Sequence, residues 1–188
     1  MHNLEPFFNW RSLYIASEDE RSPFYGRQNS EVYFEHAIYN HYIHPQWDNF
    51  GSQTLYLKLL YTEYDQQYCI LELFGEWNDL LYNDIMYLYR NVVEELLEQG
   101  VKYFVVIGEN VLDFHPDTDD YYSEWFDNLE DGWIVILNSR HHVRQEFEAA
   151  DIDQFLAFGG QFDELPWRQL LPDQLFSLLD KQMTKRLR

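Results

Sequence analysis

The segment TLYLKLLYTEYDQQYCILELFG, residues 54–75, decides the fold of this chain. Its two stretches rich in aromatic and branched residues, 54–61 and 68–74, are separated by the polar connection 65–67. Apolar stretches of this length joined by a short polar connection are typical of a β-hairpin. The sequence therefore predicts a sheet that opens with two antiparallel strands, the second of which ends at Gly75.

Downstream of the hairpin, helical and strand patterns alternate. The predicted elements are a helix from Asn78 or Asp79 to about Gln99 with Gly100 after it, a strand over 101–107 ended by Gly108, a helix over 119–129, a strand over 133–137, a helix capped by Ser139, a short strand near 155–158 and a helix beginning at Pro172. The longer apolar runs have the composition of strands covered on both faces. Together these patterns predict an α/β fold with a mixed sheet, in which an antiparallel hairpin is followed by helix–strand repeats.

Residues 1–53 differ in composition, with twelve aromatic residues but only six Leu, Ile or Val. Pro and Gly residues interrupt this stretch and argue against long regular elements. The exception is 31–42, where apolar residues at helical spacing predict a short helix. We interpret 1–53 as an aromatic-rich, irregular N-terminal extension that packs on the core of one α/β domain over 54–188.

The charge balance limits the kinds of partner that the protein can bind. The 188 residues include 33 acidic and 13 basic side chains, for a formal net charge of −20. A chain that is 46% hydrophobic is expected to fold despite this charge. Binding to nucleic acid or to an acidic membrane surface depends on Lys and Arg, so both are excluded as direct partners. A protein partner, in particular a basic one, fits this charge.

The sequence predicts a cytoplasmic protein. The first residues contain neither a basic n-region nor an apolar h-region, so no signal peptide is expected. The apolar runs are much shorter than the ~20 residues of a membrane span. Cys69 is the only cysteine and lies in an apolar run, where a buried thiol is the expected role.

Polar side chains follow the predicted parallel strands, at the edge of the sheet where ligands bind in open α/β folds. This candidate pocket consists of Glu76, Trp77, Asp79, Glu109, Asn110, His115, Arg140 and His141. Carboxylate and imidazole groups that converge there would bind a divalent metal or act as general acids and bases. The alternative is that they are ordinary loop and helix-capping residues. The sequence favours this alternative, because strand-end loops are generally polar and the chain has 33 acidic residues. It also has no phosphate-binding or nucleophile motif, and no catalytic residue, metal or cofactor is predicted.

An acidic segment over 109–131 carries nine Asp or Glu residues, and no Lys or Arg occurs between Lys102 and Arg140. The candidate partner-binding residues in it are Asp117, Asp119, Asp120, Glu124 and Asp127. Such a one-sided surface would attract a basic partner by long-range electrostatics. The alternative is a solvated helix N-terminus, where acidic residues are favourable.

The order strand, strand, helix, strand, helix, strand, helix resembles the STAS fold of bacterial anti-sigma-factor antagonists. The run 69–79, Cys-Ile-Leu-Glu-Leu-Phe-Gly-Glu-Trp-Asn-Asp, is similar to the family's strand-Gly-Glu-x-Asp opening, with Asp79 one residue late. Segments 106–107 with 111–114, and 146–155, resemble its central strand and its late helix. This resemblance covers residues 54–160 and implies a regulatory, protein-binding role. The whole chain also resembles uncharacterised Bacteroidetes proteins with similar Gly-Glu-Trp-Asn-Asp and Ile-Gly-Glu-Asn-Val-Leu segments, which implies no activity.

In the resembled family, a Ser or Thr at the start of the second helix is a phosphorylation switch. Thr118 is the residue nearest to that position, but Asp119 and Asp120 follow it where the family has a small residue and Gly. A phosphate would meet like-charge repulsion there. We therefore expect Thr118 to cap the helix and not to act as a switch.

Three hypotheses for function follow, of which the third is binding of a sugar or other flat ligand on exposed Trp and Tyr faces, although most of the six Trp residues are at core-like spacing. The first is a non-enzymatic regulatory or protein-interaction module with an acidic contact face. The alternative is a metal-dependent enzyme that uses Glu76, Asp79, Glu109 and His115 at the carboxyl ends of the parallel strands.

Overall fold

The computed structural model of the protein describes residues 2–30, 32–34 and 36–186. Leu187 and Arg188, at the end of the predicted 54–188 domain, lie outside the described residues, as does Glu31, where the predicted 31–42 helix begins. No helix in the described part of the chain is long and apolar enough to cross a membrane.

A four-stranded sheet forms the centre of the fold. Its strands are β4 (Leu55–Glu63), β5 (Tyr68–Asn78), β6 (Tyr103–His115) and β7 (Trp133–Leu137), in the spatial order β4-β5-β6-β7. Strands β4 and β5 are antiparallel, whereas β5, β6 and β7 are parallel. The predicted hairpin and the mixed α/β class are therefore confirmed.

Six α-helices accompany the sheet in the described residues. They are α1 (Asp79–Tyr82), α2 (Asp84–Leu88), α3 (Glu94–Glu98), α4 (Asp120–Asp127), α5 (His141–Ala149) and α6 (Pro172–Arg186). A π-helical turn over Tyr89–Val93 joins α2 to α3, and 3-10 turns occur at Ala16–Glu18, Ile152–Gln154, Gly160–Phe162 and Trp167–Gln169. The last helix begins at Pro172, as predicted, because the fixed φ of proline suits the first turn of a helix.

Both faces of the sheet are buried, and alternate residues of each strand point to opposite faces. On one face, Cys69, Leu71 and Leu73 of β5 pack with the helices between β5 and β7 and with α5. On the other face, Tyr68 and Ile70 pack with α6 and with Trp10 and Trp167. Aromatic side chains from 1–53 thus take part in the core, while the division of the chain at residue 53 stays a prediction.

A second, smaller sheet lies near the N-terminus, with the spatial order β1-β3-β2. It contains β1 (His2–Leu4), β2 (Ala37–Ile38) and β3 (His41–Ile43), with β1 parallel and β2 antiparallel to β3. The helix predicted over 31–42 is wrong. The left-handed Tyr39 (φ 51°) turns the chain, and Ile43 is buried against Trp47, Tyr56 and Phe74. These long-range contacts override the local helical spacing.

The helix predicted from Asn78 to Gln99 is interrupted. Asn83 adopts a left-handed conformation (φ 54°) between α1 and α2, and the Asp79 side chain accepts a hydrogen bond from the backbone N–H of Ile85 at 2.8 Å. Side chains of this type compete with helical backbone hydrogen bonds, so they favour the break. The predicted cap is confirmed, since the Asn78 side chain accepts from the N–H of Leu81.

Strand β6 is longer than predicted and does not end at Gly108. A Cβ at Gly108 would lie 2.7 Å from Ile136 Cγ2, so this glycine allows β6 and β7 to approach and does not mark a turn. Gly75 likewise lies inside β5, which continues to Asn78. Both strands therefore carry their polar residues inside the sheet, where the sequence predicted loops.

Two further local predictions are wrong. Ser139 does not cap α5, because the cap position is Arg140, and the Ser139 hydroxyl is buried without a hydrogen-bond partner in the described residues. The strand near 155–158 is reduced to one bridge, in which Ala157 exchanges backbone hydrogen bonds with Ile134 and Ile136 of β7. A similar bridge joins Asp48 to Leu57 at the β4 edge.

We predict that Gly75→Ala destabilises the protein more than Gly100→Ala. Both glycines have positive φ (+122° and +89°), which costs an alanine roughly 1 kcal/mol. A Cβ at Gly75 would also lie 2.1 Å from the Thr54 carbonyl oxygen, while Gly100 has open space around it. Since the backbone must move to relieve this contact, we expect Gly75→Ala to lower the free energy of unfolding by about 3 kcal/mol. Urea denaturation measures both values, and equal losses would contradict the prediction.

Candidate functional site

The structure does not bring the eight strand-end candidates into one pocket. Glu109 and Asn110 lie in the middle of β6, and His115 is its last residue. Glu109 and His115 are six positions apart on β6, which has two register irregularities against β5 in this stretch. At ~3.3 Å per residue their separation is at most about 20 Å. The candidates instead fall into separate groups along the sheet, and the physical reason is the continuation of β6 beyond Gly108.

The first group surrounds Glu76. Its carboxylate accepts hydrogen bonds from Tyr39 Oη at 2.5 Å and Asn78 Nδ2 at 2.7 Å, and it lies 3.3 Å from His115 Nε2. His115 Nε2 is also 3.5 Å from Asp113 Oδ2. The hydrogen bond to Glu76 raises the pKa of Tyr39 to about 12. This partly buried cluster ties the small N-terminal sheet to the ends of β5 and β6.

The second group surrounds Glu109. Its carboxylate pairs with Arg168, and its backbone carbonyl accepts from Arg140 Nε at 3.2 Å. His141 Nδ1 lies 3.0 Å from Arg144 Nη2, and Arg144 pairs with Asp163. These contacts form surface ion pairs that join β6 and α5 to the loops before α6.

The four residues of the metal-enzyme hypothesis are divided between these groups and the core. Glu76 and His115 are together, Glu109 lies farther back along β6, and Asp79 is buried at the start of α1. In the described residues, no group of three or more His, Cys, Asp or Glu side chains is arranged to hold a metal ion. Asn110 faces a different partner, since its Nδ2 lies 3.5 Å from Glu72 Oε1.

Trp77 and Asp79 belong to a buried polar network that fastens α1 to α4. Asp79 accepts hydrogen bonds from Tyr122 Oη at 2.6 Å, from the backbone N–H of Ile85 at 2.8 Å and from Trp77 Nε1 at 3.1 Å. Burial raises the pKa of Asp79 to about 6, and the bond from Tyr122 opposes this shift. The indole of Trp77 is itself almost fully buried, so it is a core residue and not a ligand contact.

Asp84 lies in the same region and is fully buried. Its Oδ2 accepts from the backbone N–H of Asn78 at 2.8 Å and from Thr54 Oγ1 at 3.1 Å. Burial raises its pKa, and the nearby Asp84 charge contributes to the raised pKa of Asp79. The two aspartates therefore fix the strand-to-helix turn after β5.

The acidic residues at α4 define the candidate contact face. Asp117, Asp119, Asp120 and Asp127 are exposed, and Glu124 is half-buried. Asp120, Glu124 and Asp127 are at positions i, i+4 and i+7 of α4, so they share one side of the helix. Glu124 already pairs with Arg90 at 3.2 Å, whereas the four exposed aspartates have no cationic side chain within ion-pair distance among the described residues.

Exposed apolar side chains occur on α1 and α4, the two helices that the Tyr122–Asp79 hydrogen bond joins. Leu80 and Leu81 of α1 are 61% and 69% exposed, and Phe126 of α4 is 43% exposed. The Tyr122–Asp79 hydrogen bond holds α1 against α4, so the leucines are next to the helix that carries the acids. We call the surface formed by Leu80, Leu81, Asp119, Asp120 and Asp127 the α1–α4 face.

The helix-capping role expected for Thr118 is wrong. The cap position of α4 is Asp119, and no side chain makes a capping hydrogen bond there. Thr118 Oγ1 instead donates to Asp120 Oδ2 at 3.1 Å on the exposed surface. Truncating Thr118 therefore removes one exposed hydrogen bond and no cap.

Sequence reasoning missed Glu72, which lies on β5 among apolar residues. Glu72 is 1% exposed and accepts a hydrogen bond from the backbone N–H of Phe7 at 2.8 Å. Burial raises its pKa to about 7, and the bond from Phe7 opposes the shift. The available signal was a charged residue in the middle of an otherwise apolar strand. A buried carboxylate of this kind requires a partner from elsewhere in the chain.

Solved structures of the anti-sigma-factor antagonist SpoIIAA are similar to part of this chain. The unphosphorylated form matches with a TM-score of 0.41 and 14% sequence identity, over 56% of this chain and 89% of SpoIIAA. The phosphorylated form of the Bacillus protein matches with a TM-score of 0.36 and 12% identity, over 56% and 92% of the two chains. No protein-family model and no curated protein sequence matches the chain. Similarity at this level does not define a family or an activity.

We predict that Asp79→Asn removes a pH dependence of stability. The pKa of Asp79 is near 4 in the unfolded chain and about 6 in the folded protein. At pH values between these two, the folded protein keeps a proton on Asp79 that the unfolded chain releases. The free energy of unfolding contributed by Asp79 therefore falls as pH rises through this window, by on the order of 3 kcal/mol. Asparagine preserves the network, since Oδ1 still accepts from Ile85 and Nδ2 donates to Tyr122 Oη.

Urea denaturation from pH 4 to pH 7 measures this effect in wild type and Asp79→Asn. The exposed Asp127→Asn is the matched control and should keep the wild-type slope. An Asp79→Asn variant with the same slope as wild type would show that Asp79 does not titrate in the folded protein.

Proposed function

We propose that this protein is a non-enzymatic regulatory or protein-interaction module that binds a basic protein partner through the α1–α4 face. The observation that supports this most is the exposure of Asp117, Asp119, Asp120 and Asp127 with no cationic side chain beside them in the described residues. The resemblance of the sequence to regulatory STAS proteins first suggested this class of function. A cytoplasmic location is part of the proposal.

Electrostatics give this face a steering role. Aspartates that share one surface produce a field that accelerates the encounter with a basic partner and weakens with added salt. Other acids near α4 share a cation, since Lys102 Nζ lies 2.7 Å from Glu130 and 3.2 Å from Asp131 and balances one of their two charges. The unpaired aspartates are therefore the part of the acidic segment that remains available to a partner.

The apolar part of the face would supply affinity. Leu80 and Leu81 together expose large aliphatic side chains on a four-residue helix, where solvent contact is unfavourable. Partner-binding surfaces commonly combine an apolar centre with a charged rim. The buried bonds of Asp79 hold α1 in place, so the leucines are presented on a fixed element.

The metal-dependent alternative has weaker support, because its four residues are dispersed along β6 and into the core. The pair of Glu76 and His115 is the part of it that remains together, at 3.3 Å. We therefore keep Glu76, Glu109, Asn110, Arg140 and His141 as surface residues with structural contacts in this proposal.

We predict that Asp119→Asn, Asp120→Asn and Asp127→Asn combined reduce partner binding at least tenfold. Affinity capture from the native cells at low salt should recover a basic protein with wild type and not with the triple variant. The same protein should be released by high salt, since screening removes the attraction.

The matched control is Glu5→Gln, Glu18→Gln and Glu20→Gln, which changes the net charge by the same three units. These glutamates are exposed on the N-terminal segment, and the turn containing Glu18 packs beside β4, at the sheet edge opposite β7. The control should retain the partner. Equal capture by the two triple variants, or capture that survives high salt, would refute the α1–α4 face as the binding surface.

A further inference from the structure

A cavity lies between the N-terminal segment and β4, away from the α1–α4 face. Its volume is about 210 Å³, and it is partly open to solvent. The volume corresponds to roughly seven water molecules at liquid density. Four separated parts of the chain line it, represented by Arg11, Arg27, Asp48 and Lys58 of β4.

The charge of this cavity is opposite to that of the protein. Arg11, Arg27 and Lys58 supply three positive charges and Asp48 one negative charge, a local balance of +2 in a chain of −20. Three of the 13 basic residues thus meet in one cavity. Because 33 acidic residues are available in the chain, this arrangement does not follow from composition.

The two arginines have no carboxylate within ion-pair distance among the described residues. Arg11 Nη2 donates to the amide oxygen of Gln46 at 3.1 Å, and Arg27 donates to the backbone carbonyl of Asn49. Lys58 Nζ is 3.4 Å from Asp48 Oδ2, and Asn29 Nδ2 holds the other Asp48 oxygen at 2.8 Å. The Arg27 guanidinium also lies over the Phe24 ring, 4.9 Å from its centroid. Neither arginine charge is therefore balanced by a carboxylate among the described residues.

Apolar side chains form much of the remaining wall, which also includes Ser17. Phe7, Tyr14 and Ile15 are at least partly accessible there, whereas Trp10 and Phe24 are buried. Ligand sites typically pair such apolar walls with a few charged groups that fix the orientation of the ligand. Guanidinium groups favour phosphate and carboxylate through paired N–H donors, and two of them suit a doubly charged anion.

We propose that this cavity binds a small phosphate monoester with a flat ring, its phosphate between Arg11, Arg27 and Lys58 and its ring against the accessible side chains of Phe7, Tyr14 and Ile15. The ligand would neutralise the local balance of +2. It would also tie two parts of the N-terminal segment to β4 and so stabilise their packing. This site is separate from the α1–α4 face, and its test does not depend on the proposed partner binding.

Isothermal titration calorimetry of the full chain with phenyl phosphate tests the proposal. Salt at 0.15 M screens acids that lie beyond about 8 Å. We expect phenyl phosphate to bind and to raise the melting temperature, inorganic phosphate to bind at least tenfold more weakly, and phenol not to bind. The double variant Arg11→Gln, Arg27→Gln should bind phenyl phosphate with an affinity at least tenfold lower than that of wild type. Lys181→Gln with Lys185→Gln, on exposed positions of α6, makes the same charge change and should bind as wild type.

Circular dichroism checks that the arginine variant folds, and Lys58→Gln provides the same test if it does not. Absence of binding by wild type, or equal affinity in the arginine variant and the α6 control, would overturn the site. Inorganic phosphate that binds as tightly as phenyl phosphate would overturn the assignment of the apolar wall to a ring.

Discussion

Both faces of β5 are covered, and much of the structure follows from this one constraint. Ten of its eleven residues are buried, so each polar group on the strand needs a partner inside the protein. The Glu72 carboxylate accepts a hydrogen bond from the backbone N–H of Phe7, and the Asp84 carboxylate accepts one from the backbone N–H of Asn78. The N-terminal segment and the turn after β5 are held in place by these bonds as well as by apolar packing.

The sequence predicted the elements whose pattern is local and strong. The hairpin, the helix at α4, strand β7 and the start of α6 at Pro172 depend on runs of apolar residues and on turn or capping residues nearby. These signals are contained in short windows, so no knowledge of distant contacts was needed. The mixed direction of the sheet followed from the order of the elements.

The errors have a common physical origin in contacts that are distant in sequence. Gly108 looks like a strand end, but its role is to admit the side chain of Ile136 from β7. The helical spacing over 31–42 is overridden by pairing with β1 and by the burial of Ile43. The separation of Glu109 from the Glu76–His115 pair follows from the first of these errors, because Glu109 lies inside a longer β6 and not in a loop at its end.

The isolated bridges at the two edges of the main sheet have a consequence for self-association. An open edge of five buried apolar residues, such as Trp133–Leu137, is a template for adding a strand from another molecule. Ala157 occupies the hydrogen-bonding groups of Ile134 and Ile136 on that edge, and Asp48 does the same for Leu57 of β4. At each edge, a single bridge residue in a loop pairs with the edge strand. A local opening of either loop would therefore expose an unpaired strand edge while the rest of the domain is still folded. Electrostatic repulsion between molecules that each carry a net charge of −20 then opposes the pairing of exposed edges from different molecules.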